Sequence, residues 1–367
     1  MSDHIPFEIQ SKIINTLPVK SLLRFRSICK SWKSLIDSSD FIEHHSSQQQ
    51  HLLVSYYDND YEQKYVSIVD DHTFPQQKVF LTVPVSVKKM LEHHPRIISS
   101  CHGLVCFYCD STRTAVIWNI ALSKSVAVVV PASNAYKTAI GFGVCRETND
   151  PKIVKIRYIG WWRSVDINAT YIPSQVEVFT LSTGAWRSPF GSNLPRTSFH
   201  YYHDDEVVID GVFYWLATDS NTMLIVSFDM TSEEFREITL PDDLSQTHWN
   251  RISMSYLGNS LVVCGCDKHA IYRGLCVWAM RGGVSNSFTK LFTITPNEDA
   301  TPRGFRKSGE PIVAIRGEHG YGMAVYEPYS KHIDYLGIAG EDCSFKVYPY
   351  TETLFLYGQP DRARYSD

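Results

Sequence analysis

The stretch Ile225–Pro241, IVSFDMTSEEFREITLP, carries the period that decides the architecture. Its apolar run ends at Phe228, a polar turn follows, and a second short run containing Phe235, Ile238 and Leu240 closes on a proline. That is the pattern of two strands joined by a tight turn. The same order recurs as VSIVDDHTFPQQKVFLTVP, VIWNIALSKSVAVVVP, VEVFTLSTGAWRSPF, CVWAMRGGVSNSFTKLFTITP and MAVYEPYSKHIDYLGI. With Val69, Trp118, Phe179, Phe228, Trp278 and Tyr326 as equivalent positions, the steps are 49, 61, 49, 50 and 48 residues. A near-constant step of this length marks a repeat architecture.

Most units also carry an earlier apolar strand, as in HGLVCF, DPKIVKIRYIG, DGVFYWLA, GNSLVVCGC and EPIVAIRG, often after a glycine turn. Four short strands per unit, with glycines and aromatics in fixed places, predict a β-propeller of the kelch type, and six units predict six blades. The body, 51–360, is therefore expected to be all-β. The long third step places its excess near Ile159 to Pro173, IGWWRSVDINATYIP.

Ahead of this body, residues 1–45 follow a helical rhythm. Pro6 suits a first helical turn, and Ile9, Ile13, Ile14 and Leu17 share one face before Pro18 ends the segment. Ser21 is placed to cap a second helix in which Leu22, Phe25, Ile28, Cys29, Trp32, Leu35 and Ile36 recur at three- and four-residue intervals. A third short helix around Asp40 to His44 would tuck Phe41 against the pair. Three helices in about 45 residues cannot hide all these side chains among themselves. Part of the stripe must face either a partner or the protein's own body, and periodicity leaves both open. SSQQQ, 46–50, reads as a linker, and 361–367 as a polar tail.

The residues I5-P6, I9, I13, L17-P18-V19-K20-S21-L22, R24-F25-R26, I28-C29-K30-S31-W32, L35-I36 and F41 closely resemble the F-box motif of plant F-box proteins. Ile5 stands where that motif usually has Leu. The body resembles the F-box-associated domain of the same proteins from about Ser99 to Ile294, in SCHGLVCF, AVIWN, AIGFGVC, VEVFTLSTGAW, DGVFYWLA, VSFDMTSEEF and VWAMRGGVSNSFTKLFTI. Two departures affect turns: Asn119-Ile120 replaces the usual Asn-Pro, and Gly143-Val144-Cys145 lacks the family's following aspartate. The resemblance implies a substrate-recognition subunit of an SCF-type E3 ubiquitin ligase. Ile5, Pro6, Ile9, Leu17, Pro18, Leu22, Cys29 and Trp32 would lie at or behind the contact with a Skp-type adaptor, which brings the cullin and RING subunits. The rival reading is a propeller that binds a glycan or small molecule, associated with the adaptor without forming an active ligase.

The body would then hold an unidentified target protein. Trp161, Trp162, Arg163 and Tyr171 in the long third unit, and His248 and Trp249, are residue types found in binding hot spots. His200 to Asp204 is a further candidate loop, and the three loops are expected on one rim.

No catalytic motif is present: neither a nucleophile elbow, a P-loop nor a dinucleotide-binding glycine pattern. Cys106 and Cys109 form a CxxC without a second zinc half-site, and Cys264 and Cys266 share one strand face, so buried structural thiols are expected and no metal or cofactor. The net charge of −4 gives no reason to expect nucleic acid or a membrane surface, although residues 1–40 carry six basic against four acidic side chains. With no apolar leader in MSDHIPFEIQ and nine scattered cysteines, the expected location is cytoplasmic and/or nuclear.

Overall fold

The computed structural model describes residues 5–45, 49–91, 95–132, 137–158, 175–191, 199–201, 206–219, 222–245, 252–266, 274–280, 287–294, 300–317, 320–341, 344–356 and 363–365. Four helices come first: α1 (Phe7–Asn15), α2 (Val19–Phe25), α3 (Lys30–Ile36) and α4 (Ser39–His45). Strands β1 (Gln50–Tyr57), β2 (Gln63–Val69) and β3 (Lys78–Leu81) follow, then α5 (Val85–Leu91). A second sheet holds β4 (Arg96–Cys101), β5 (Leu104–Cys109), β6 (Thr114–Asn119) and β7 (Lys124–Val129). The third holds β8 (Lys137–Val144), β9 (Pro151–Tyr158), β10 (Gln175–Thr180) and β11 (Ala185–Arg187). The fourth holds β12 (Phe199–Tyr201), β13 (Val207–Ile209), β14 (Val212–Asp219), β15 (Thr222–Asp229) and β16 (Phe235–Thr239), and α6 (Asp242–Ser245) comes after it. The fifth is β17 (Ile252–Leu257), β18 (Ser260–Cys266), β19 (Leu275–Met280) and β20 (Phe288–Ile294). The sixth is β21 (Ala300–Phe305), β22 (Pro311–Gly317), β23 (Gly320–Tyr326) and β24 (Ile333–Gly340). Finally β25 (Lys346–Thr351) stands beside β1, in the order β25-β1-β2-β3, and β26 (Ala363–Tyr365) pairs parallel to β7. The fold is a short helical unit followed by a six-bladed, kelch-like β-propeller.

All six positions taken as equivalent in the sequence fall on the third strand of their sheets: Val69 on β2, Trp118 on β6, Phe179 on β10, Phe228 on β15, Trp278 on β19 and Tyr326 on β23. The repeat extends to the turn that follows. Ser123, Gly184, Glu233 and Lys331 each lie five residues beyond Trp118, Phe179, Phe228 and Tyr326, and each has a left-handed backbone, with φ of 53°, 64°, 58° and 59°. In the last three the N–H donates to the carbonyl four residues back, Gly184 to Thr180 at 2.9 Å, Glu233 to Asp229 at 2.8 Å and Lys331 to Glu327 at 2.8 Å. Only one of the four is glycine, so these turns carry no common glycine signal.

Two compact units divide the chain: 1–53 with 67–130 and 349–366, and 54–66 with 131–348. In the second, the apolar faces of the fourth and fifth sheets share one core, with Leu216, Ile225 and Ile238 packed with Met254, Leu261 and Val263. A buried ion cluster fastens the third sheet to the fourth within that unit. Glu233 is fully buried, and its carboxylate accepts from Lys152 Nζ at 2.8 Å, from Arg187 Nη2 and Nη1 at 2.6 and 2.7 Å, and from the Phe190 N–H at 2.8 Å. Burial pushes this carboxyl up, but those donors outweigh it and hold it at about 2.

Two expectations about the N-terminal unit need correction. It has four helices, not three, because the helix expected to run from Ser21 to Ile36 is broken at Arg26–Cys29. Ser27 and Ile28 bond three residues back instead of four, to Arg24 and Phe25, and Cys29 is extended at φ −151°, ψ 161° before the chain turns into α3. A straight helix would hold Leu22 and Ile36 about 21 Å apart. The break lets both enter one core. Likewise Pro18, not Ser21, precedes α2, and its carbonyl accepts from Ser21 and Leu22 at 2.9 and 3.1 Å. At the other end, the stretch read as a polar tail contains β26, and Gln50 of the expected linker already belongs to β1.

Candidate functional site

The four helices sort their apolar side chains into two sets. Ile14, Val19, Leu22, Ile36 and Phe41 are buried together with Ala121 and Leu354, which belong to the same compact unit. Leu17, Leu23, Phe25, Trp32, Leu35 and Ile42 pack around them, half-buried. The inner set therefore covers the body of the protein, as one of the two open readings allowed. The outer set is Ile5, Phe7, Ile9, Ile13 and Ile28, exposed by 52, 48, 49, 50 and 63%. Ile9 and Ile13 stand one turn apart on α1, so exposed apolar side chains line one face of that helix while the inner set packs on the body.

Polar contacts fix this arrangement. Trp32 stacks tilted on Phe25 at 5.2 Å, and its Nε1 donates to Gln10 Oε1 at 2.9 Å, which ties α3 back onto α1. Arg26 and Asp37 form a two-pronged ion pair across the helix break, with Nη2 to Oδ2 at 2.6 Å. His45 Nε2 lies 2.6 Å from the Leu17 carbonyl, and its ring stacks on Phe41. Cys29 Sγ accepts from the Trp32 N–H and lies 3.2 Å from the Ser31 hydroxyl; these contacts lower the thiol's pKa. Asn119, wholly buried in the body, donates from Nδ2 to the carbonyls of Thr353 and Phe355 at 2.9 and 2.7 Å and accepts from the Leu122 N–H. That network holds Ala121 and Leu354 where the helices pack.

Of the residues named from the sequence as adaptor-facing, Ile5, Pro6, Ile9, Pro18 and Cys29 are exposed, while Leu17 and Trp32 are half-buried. Leu22 is wholly buried, behind the surface rather than on it. Phe7, Ile13 and Ile28 belong to the exposed set and were not singled out. For Ile13 the available signal was the 100° that separates it from Ile14 on a helix. Trp161, Trp162, Arg163, Tyr171, His248 and Trp249 lie outside the described residues, as do His203 and Asp204, so the rim expected for their loops has no described counterpart.

Cys106 and Cys109 are both buried on β5. Three residues apart on a strand, they point to opposite faces and cannot share an ion. Among the described residues, no group of three His, Cys, Asp or Glu side chains is placed to hold a metal. No helix among them is long and apolar enough to cross a membrane.

Residues 60–354 match the family model described as the F-box associated beta propeller domain, and residues 2–44 match the F-box domain. The chain belongs to the F-box proteins with an associated β-propeller. Arabidopsis thaliana has similar proteins: the F-box/kelch-repeat protein At3g23880, 26% identical over 79% of each chain, and the putative F-box protein At3g52320, 29% identical over 69% of this chain. The match spans 64% of the length of At3g52320 and 62% of that of the putative F-box protein At3g16210. Among solved structures, a chain of the nidogen/laminin complex superposes with a TM-score of 0.45 at 9% identity, over 83% of this chain and 99% of that one.

Proposed function

We propose that this F-box protein is a non-catalytic substrate receptor of an SCF-type ubiquitin ligase. Its helices bind a Skp-type adaptor, through which cullin and RING subunits are recruited, and its propeller holds a target protein. The observation that carries this reading is the division of the F-box into an inner face packed on Ala121 and Leu354 and an outer face that leaves five large apolar side chains in solvent. These five are already about half-buried, so covering the rest gains roughly 4–8 kcal/mol in all, comparable with the lower end of the cost of association. Ubiquitin transfer would be done by other subunits, with this chain supplying proximity. That role places the protein in the cytoplasm or nucleus.

The test is co-purification of adaptor and cullin with the wild type and with an Ile9→Asp, Ile13→Asp double variant. Both positions are exposed, so the fold survives and only the docking surface changes. Wild-type capture of adaptor and cullin, lost in the variant with unchanged circular dichroism, supports the receptor reading. Capture of adaptor without cullin favours the rival glycan or small-molecule module, and capture of neither removes the proposal.

A further inference from the structure

From Pro75 to Leu91 the chain reads PQQKVFLTVPVSVKKML, with three lysines and no acidic residue, in a protein whose net charge is −4. The structure turns this stretch into a strand edge and a helix face within one compact unit. β3 is the last strand on its side of the order β25-β1-β2-β3, so its outer backbone edge pairs with no strand among the described residues. Val79 and Phe80 are exposed by 59 and 68%. Neighbouring residues of a strand point to opposite faces, so this edge shows a large apolar side chain on each. Three residues, Thr82 to Pro84, lead to α5, whose Val87 and Leu91 are buried and whose Val85, Lys88 and Lys89 are exposed. Spacings of three and four place Val85, Lys88 and Lys89 together on the outward side of α5. The five steps from Phe80 to Val85 keep the Cα atoms of those two residues within about 18 Å of each other.

A lysine beside an edge strand is an ordinary guard against unwanted pairing. Phe80 and Val79 do the opposite, because exposed apolar side chains on both faces of an edge invite a further strand. We propose that the β3 edge with the outer face of α5 binds an extended, acidic segment of a partner protein. The segment adds a strand beside β3, lays apolar side chains over Val79 and Phe80, and brings carboxylates to Lys88 and Lys89. A second copy of this chain is a poorer occupant, since it would set one lysine group against another. An anionic membrane would match the charge but leave the strand's N–H and C=O groups without partners. The surface does not involve the F-box, and its test needs no adaptor.

The experiment is fluorescence anisotropy with the full-length chain and a labelled, capped nonapeptide of alternating Asp/Glu and Val/Ile/Phe, beside a control in which Lys replaces the acidic residues. Binding of the acidic peptide alone is expected, weakened about tenfold or more by Val79→Ser with Phe80→Ser, and by Lys88→Glu with Lys89→Glu. Hydrogen exchange at residues 78–81 should slow when the peptide binds, which side-chain attraction without strand pairing would not cause. The altered side chains are exposed, and unchanged thermal midpoints verify that the variants fold. Equal binding of the two peptides, binding indifferent to both variants, or failure of the acidic peptide to bind overturns the proposal. So does capture of the chain by phosphatidylserine vesicles without peptide binding.

Discussion

The backbone N–H of Val19 donates to the carboxylate of Glu352 at 3.1 Å. The two residues are 333 positions apart, and their contact joins the start of α2 to the segment that follows β25. Val19 is fully buried, so this N–H would otherwise lack water as a partner. Replacing Glu352 with Ala should cost about 1–2 kcal/mol, read as a lower urea midpoint of the full chain and faster proteolysis within residues 5–45.

Adaptor binding and stability should separate within the same helices. Leu22→Ala removes a fully buried side chain and should destabilise by about 2–5 kcal/mol. Ile9→Ala removes an exposed one, should leave stability within about 0.5 kcal/mol, and should weaken adaptor capture. Thermal unfolding and pull-down on the same two proteins check the contrast.

The Glu233 cluster predicts a pH dependence. Its carboxyl is held at about 2 against an ordinary value of 4.5, so the stabilisation, roughly 3 kcal/mol, is fully present above pH 4.5. It falls as the pH drops from there toward 2. Glu233→Gln should flatten that part of the stability curve. It should also destabilise by about 3–5 kcal/mol at neutral pH, since it leaves Lys152 buried beside a neutral group.

Backbone geometry supplies a pair of opposite outcomes. Gly103 has φ +74°, and a Cβ there would lie 2.3 Å from the Thr351 carbonyl oxygen, so Gly103→Ala should destabilise by roughly 2 kcal/mol or more. Lys331 is exposed at φ 59°, and Lys331→Gly should relieve strain and stabilise by up to about 1 kcal/mol. Chemical denaturation of both variants measures the difference in sign.

The blade repeat was legible in the sequence because alternation and turn composition are local: Trp118, Phe179, Phe228 and their counterparts all landed on third strands. The F-box was legible for the same reason, since its spacing lies within about 45 residues. Which of its apolar side chains face outward was not. Ile13 and Ile14 are neighbours of identical chemistry, and the assembled core that Ile14 joins, with Val19, Leu22, Ile36 and Phe41 and with Ala121 and Leu354 from more than 100 and 300 residues away, decides that one is buried and the other exposed. Glu233 shows the same limit. Within TSEEF it reads as a solvated turn residue, and it is fully buried because Lys152 and Arg187 arrive from another sheet. Local pattern determines the elements and their order. Burial of a particular side chain is a long-range property, set by what the folded chain lays against it.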